Sequence, residues 1–179
     1  NAGKDCTLVK ANVLGEAENA SAVAKTTYDS TNESYKTVIE MWIPKECLNN
    51  ILMQSIIQHG CSIRQFIEEY WQKEYTQKLA DLVTFEICKV RFREDPEFAM
   101  YLTDKIVDKK TGELVPFRLN YPQRKLLALM EDLRHKGEPI FIVILKARQW
   151  GGSTLSQMYI KWMQDFRHPN GWNAIILAH

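Results

Sequence analysis

The feature that most limits what this chain can fold into is an apolar run, Ile140 to Leu145, bounded by Pro139 and by a turn carrying glycine and basic residues. A short apolar run between breakers reads as a buried strand. The turn, Lys146 to Gly152, leads into two hydroxyls, Ser153 and Thr154. Leu155, Met158, Tyr159, Trp162, Met163 and Phe166 then recur at helical spacing, a stripe expected to pack on a sheet. Strand, glycine turn, hydroxyl and helix is the order in which a phosphate-cradling loop is built. The first amides of the helix point at an anion, and the helix dipole favours negative charge there. After Pro169-Asn170-Gly171, residues Trp172 to Ala178 read as a second strand. A strand–helix–strand unit of this size defaults to a right-handed parallel crossover. Two strands do not complete a sheet, so the chain is expected to be the front of a longer protein, cut just after its second strand.

The common phosphate-loop pattern, G-x-x-x-x-G-K-[ST], is met only in part. Gly152 stands where the lysine belongs and Lys146 where the first glycine belongs. The physical requirements are still within reach. Gly151 and Gly152 allow close backbone approach to phosphate oxygens, and Ser153 supplies a hydroxyl for Mg²⁺. Lys146, with Arg148, brings positive charge for the β and γ phosphates. The bland reading is a tight turn capped by Ser153, with Lys146 and Arg148 solvated. One helix upstream lies Asn120-Tyr121-Pro122-Gln123-Arg124. A glutamine amide both donates to and accepts from the Hoogsteen edge of adenine, and an aromatic such as Tyr121 stacks on a base.

The rest of the chain is read from its periodicities. Residues 1–34 are rich in Ala, Asn, Ser and Thr and read as a weakly structured arm with one strand near Cys6 to Leu14. Helical signals start at Trp42, with Pro44 at a first helical position and Leu48, Ile51, Leu52 and Ile56 on one face. Ser62 and Gln65 form a capping-box pattern, and 63–93 reads as one long helix or as two broken near Asp81. Asp95-Pro96 opens a short helix. Ile106-Val107 and Leu114-Val115 flank a turn ending in Gly112, a hairpin signal. Asn120 caps a helix that carries Leu126, Leu127, Met130 and Leu133 and stops at Gly137. The organisation expected is an arm over 1–34, a helical lead-in over 35–102 and the start of an α/β domain over 103–179.

Composition removes several alternatives. The net charge is +1, so the whole chain offers no basic footprint for nucleic acid, although a local surface remains open. The four cysteines, at 6, 47, 61 and 88, form no CxxC and have no histidine at ligand spacing. They read as thiols of a reducing cytosol. Asn19-Ala20-Ser21 and Asn32-Glu33-Ser34 match the glycosylation pattern and are taken as accidental, since nothing else looks secreted. No apolar run is long enough to span a membrane.

Taken together, PFRLNYPQRKLLALM, PIFIVILKARQWGGSTLSQMYIKWM and WNAIILAH resemble the N-terminal ATPase region of the large terminase subunit of tailed bacteriophages and prophages. That family pairs a glutamine motif near an aromatic with a deviant phosphate loop, (S/A)RQxGK(S/T). The matching residues are Ala147, Arg148, Gln149, Gly151, Ser153 and Thr154, with Gly152 at the family's usual lysine. Some branches place the lysine at the front of the loop, where Lys146 stands. The resemblance covers about residues 116–179. It implies a P-loop ATPase fold in which a helical N-terminal region precedes the truncated start of a parallel sheet. It implies an ATP- and Mg²⁺-dependent motor that packages double-stranded DNA into a procapsid, followed by a nuclease. The partners implied are the portal protein, a small terminase subunit and further copies in a ring, in the cytoplasm of a bacterial host.

The roles implied are as follows. Gly151, Gly152, Gln149 and neighbouring amides cradle phosphate. Lys146 neutralises it, and Arg148 senses the γ phosphate. Ser153 ligates Mg²⁺ with Thr154 beside it. Gln123 reads adenine, flanked by Tyr121 or Arg124. Trp150 packs on the sheet or contacts nucleotide. No apolar strand ending in Asp-Glu follows the loop, and Glu68-Glu69 reads as a solvated face, so binding without turnover is expected of this stretch. Two other readings stay open: a helicase-like motor, which usually keeps the loop lysine beside Ser or Thr, and an interaction module that binds no nucleotide.

Overall fold

The computed structural model describes residues 6–9, 22–32, 35–145, 150–168 and 174, with side chains from Ile43 onward. The described residues up to Asp95 form one compact unit and those from Pro96 onward a second. The boundary therefore falls at Asp95–Pro96, several residues before the break expected at 102.

The first unit opens with an antiparallel meander. Strands β1 (Cys6–Val9), β2 (Ala22–Asn32) and β3 (Tyr35–Pro44) lie in the order β1-β2-β3. The β2–β3 pairing runs from Asn32↔Tyr35 to Ala22↔Pro44, with an irregularity at Ala22/Ala24. Strand β1 falls within the one strand expected near Cys6 to Leu14, the arm carries a second strand in β2, and Trp42 sits in β3 rather than opening a helix. Thr26, Thr27, Tyr28 and Thr31 give β2 the β-branched and aromatic content that favours a pleated backbone.

Pro44 ends the strand, a 3₁₀ turn spans Lys45–Asn49, and Asn50 caps α1 (Ile51–Gln58) by accepting from the amides of Leu52 and Met53. Helix α2 (Ile63–Gln65) starts with the expected Ser62–Gln65 capping box and continues as a π-helical turn over Phe66–Tyr70. Helix α3 (Gln77–Glu94) begins where Thr76 accepts from the amide of Leu79. The helical stretch is therefore broken at 71–76, not at Asp81, whose carboxylate bonds Gln77 within α3. Gln72 marks the break with φ 52°.

Leu52, Ile56, Phe66, Ile67, Ala80 and Val83 form one buried cluster, and Ile43, Cys47 and Met53 another. Burial, then the charge of Asp95, pushes the Cys47 thiol up, so it stays protonated. The last turn of α3 holds a buried ion pair: Arg91 Nη2 lies 2.6 Å from Asp95 Oδ2, and both side chains are almost fully enclosed.

The second unit is helical around a small hairpin. Helix α4 (Pro96–Thr103) starts on the expected proline. Strands β4 (Lys105–Val107) and β5 (Leu114–Pro116) pair antiparallel, Ile106 opposite Val115, as the sequence suggested. Asp108 organises the turn by accepting from the amides of Lys110 and Thr111. Helix α5 (Tyr121–Lys136) runs from an Asn120 cap to Gly137, and α6 (Gly152–Trp162) extends into a π-helical turn, Met163–Arg167.

The described residues thus form six helices with antiparallel strands, and no parallel sheet lies among them. Ile140 to Leu145 is not a strand here. Phe141, Val143 and Leu145 are 84%, 79% and 99% exposed. The amide of Phe141 bonds back to the Pro139 carbonyl, a tight turn at the start of the run. A strand is held by a neighbour's ladder, and no described strand lies beside this one. The expected neighbour, Trp172 to Ala178, lies outside the described residues apart from Ala174. The α6 stripe of Leu155, Tyr159, Trp162 and Met163 is buried as expected, but against α4 and α5 rather than against a sheet. No helix among the described residues is long and apolar enough to cross a membrane.

The Arg91–Asp95 pair yields a stability prediction. Removing one member of a buried pair strands the other charge in a dry site, at a cost of about 3–5 kcal/mol. Asp95→Ala is expected to lower the unfolding free energy by that order and so to lower the urea midpoint, read by circular dichroism. An unchanged midpoint would mean that the pair adds nothing.

Candidate functional site: the turn between the α5 cap and the start of α6

Asn120 and Gln123 form a complete capping box at the head of α5. Asn120 Oδ1 accepts from the Gln123 amide at 3.0 Å, and Gln123 Oε1 accepts from the Asn120 amide at 2.9 Å. These two bonds use only the oxygens of the side-chain amides. The NH₂ groups reach across to the far turn. Gln123 Nε2 donates to the Gly151 carbonyl at 2.9 Å, and Asn120 Nδ2 donates to the Trp150 carbonyl at 3.1 Å. Gln123 is only 4% exposed.

The turn is built to take this grip. Gly151 has φ 86°, a left-handed backbone that a side chain rarely adopts. A Cβ there would stand 2.6 Å from Gln123 Nε2. Gly152 is closed over by the Trp150 indole, whose ring would lie 2.6 Å from an added Cβ. Trp150 therefore packs on the loop's own glycine, neither on a sheet nor out in solvent. Its Nε1–H is buried without a hydrogen-bond partner among the described residues.

Helix α6 begins here with no side-chain cap among the described residues and no acidic residue in its first turn. The Leu155 amide is the one that closes back on the Gly151 carbonyl, at 3.1 Å. The amides of Gly152, Ser153 and Thr154 precede it, at the positive end of the helix dipole. Ser153 is exposed beside them and Thr154 is half-buried. This end is chemically suited to an anion, and the Ser153 hydroxyl is placed where a cation bound to that anion could use it.

The other expected residues are placed differently. Lys146, Arg148 and Gln149 lie outside the described residues, as does Ala147. Tyr121 is half-exposed at the head of α5, with Lys125 Nζ 4.5 Å from its ring centroid. Arg124 is turned toward α4, its Nε 2.8 Å and Nη2 2.7 Å from Glu97 Oε1. Arg124 thus ties α5 to α4, and Gln123 is committed to the loop carbonyl. Of the residues expected near a base, Tyr121 alone is substantially open to solvent. Among the described residues no group of His, Cys, Asp or Glu is arranged to hold a metal.

Behind the loop, α6 is fixed by a buried polar lock that sequence periodicity did not reveal. Tyr159 Oη donates to Glu131 Oε1 at 2.6 Å, and Arg134 grips the same carboxylate with Nε and Nη2, each at 2.8 Å. Glu131 lies one turn before His135 on a helix rich in charge, and no local pattern there marks it for burial. Lys161 is paired with Asp104 at the end of α4. These contacts hold α6 to α5 and α4 and so set the direction in which its first amides point.

No known protein family, no curated protein and no solved structure matches this chain.

Two predictions come from this geometry. Gly151→Ala places a methyl against Gln123 and forces a left-handed backbone on alanine. It is expected to cost about 1–2 kcal/mol of stability, measured by chemical denaturation, and tolerance of the alanine would refute the close approach. The second concerns pH. Burial, then the Glu131 carboxylate, pushes the Tyr159 phenol well up. A raised folded pKa contributes stability that is whole below the ordinary phenol value of about 10 and is lost as pH climbs through the folded value. Above about pH 10, where the unfolded phenol ionises and the folded one does not, the unaltered protein is expected to lose stability more steeply than Tyr159→Phe. Parallel declines would remove Tyr159 from the account.

Proposed function

We propose that this chain carries the nucleotide-binding loop of a DNA-packaging ATPase of the large terminase type. The observation that carries the reading is the start of α6 at Gly151-Gly152-Ser153, which begins on the glycine that ends the A-R-Q-x-G string of the motif. In this reading the α6 amides cradle the phosphates of ATP, Lys146 and Arg148 neutralise their charge, and Ser153 ligates Mg²⁺ with Thr154 beside it. ATP with Mg²⁺ supplies the free energy of phosphate transfer that drives double-stranded DNA into a procapsid. The partners are the DNA, the portal protein, a small terminase subunit and further copies of the chain in a ring. The setting is the cytoplasm of a bacterial host, and the fold to which these residues contribute is the P-loop α/β sheet.

A second reading, an interaction module with no nucleotide, has one observation in its favour. The glycine turn is already filled from within by Trp150 and Gln123, and a tight structural turn needs nothing more.

A thermal-shift titration separates the two. A ligand that binds the folded state alone stabilises it by about 2.7 kcal/mol at a hundredfold excess over its dissociation constant. A non-hydrolysable Mg–ATP analogue is expected to raise the melting temperature, and Lys146→Ala is expected to abolish the rise. No shift at any concentration would leave the module reading.

A further inference from the structure

A helix cap needs only acceptors, and serine with glutamate serves it well. Here both positions are amides, and both spare NH₂ groups are spent on consecutive carbonyls, Trp150 and Gly151, about thirty residues away in sequence. We propose that Asn120 and Gln123 are positioning residues for the phosphate loop: as a pair they grip the two carbonyls ahead of α6 and hold its first amides in place. The inference rests on the nucleotide-binding reading for its purpose, and it gives Gln123 a role other than contact with adenine.

The geometry supports this assignment in three ways. Gln123 is buried, with its oxygen on the Asn120 amide and its nitrogen on the Gly151 carbonyl. Gly151 lacks the one atom that would block the approach. The gripped carbonyls immediately precede the uncapped amides of Gly152, Ser153 and Thr154, so a shift of either carbonyl rotates the peptide planes that an anion would meet. The grip links the loop to α5, which is itself fixed to α4 through Arg124–Glu97 and to α6 through Glu131–Tyr159.

Asn120→Ser separates cap from grip: it keeps the oxygen that the cap needs, removes the NH₂ that the loop needs and adds no charge. Gln123→Glu also keeps the cap oxygen, but it sets a carboxylate against the Gly151 carbonyl, so its effect on an anion includes charge repulsion and Asn120→Ser is the deciding variant. In the full chain without ligand, amide hydrogen exchange at Leu155, the α6 amide bonded to the Gly151 carbonyl, is expected to quicken about fivefold, the worth of one ordinary hydrogen bond. Exchange at the head of α5 is expected to stay as it was. Unchanged exchange at α6, or equal acceleration at both helix starts, would overturn the proposal.

With Mg–ATP, Mg–GTP and Mg–tripolyphosphate as probes, both variants are expected to weaken all three by a common factor. Weakening of ATP alone by Gln123→Glu would show that Gln123 reads the base, and would also overturn it. If the unaltered chain binds none of the three, the nucleotide reading fails, and the exchange comparison still decides whether the grip holds the loop.

Discussion

Two side-chain amides, those of Asn120 and Gln123, join the head of α5 to the turn that begins α6, and the candidate site depends on that junction. A hydrogen bond between neutral groups contributes little net stability, but an unmet buried amide is costly. Gln123 is buried, so its amide needs partners wherever it sits, and the loop carbonyl is one of them. Gly151 makes the contact sterically possible, and Trp150 closes over Gly152 on the other side. Farther along α6, Tyr159 and Glu131 fix the helix that the loop feeds. The unit is therefore held at both ends of one helix by polar contacts, with Leu155 and Trp162 filling the space between.

The local elements were legible because their signals are short-range. Asn120 and Pro122 start α5, Gly137 ends it, and Asp108 with Gly112 shapes the hairpin, each signal acting within a few residues of its own position. Strand β1 lies within the segment read as a strand, Cys6 to Leu14, whereas β2 was missed because 22–32 has few large apolar residues, and its pairing is set by the partner strand more than by the segment itself. The break at 71–76 was displaced to Asp81 because a polar residue within a helical stripe is weaker evidence than a threonine placed to cap.

The candidate site was legible as a motif and not as a geometry. The glycines, Ser153 and the glutamine upstream were visible as residue types suited to phosphate and base. Their mutual arrangement was not, because it is made by long-range bonds between side-chain amides and backbone carbonyls. A capping-box pattern of Asn120 with Gln123 was available as a clue that the glutamine had structural work to do. Arg124, similarly, is drawn to Glu97 by a charge that no local pattern announces.

The apolar run at 140–145 sets the architecture against the expectation most sharply. Its exposure is high for residues such as Phe141 and Leu145, and such surface is normally covered in a working protein. The most direct measurement is ¹⁵N chemical-shift mapping of the chain during titration with a non-hydrolysable Mg–ATP analogue. The account predicts the largest shifts at the amides of Gly152, Ser153 and Thr154. Saturation with those amides unmoved, or with the shifts centred elsewhere, would contradict it.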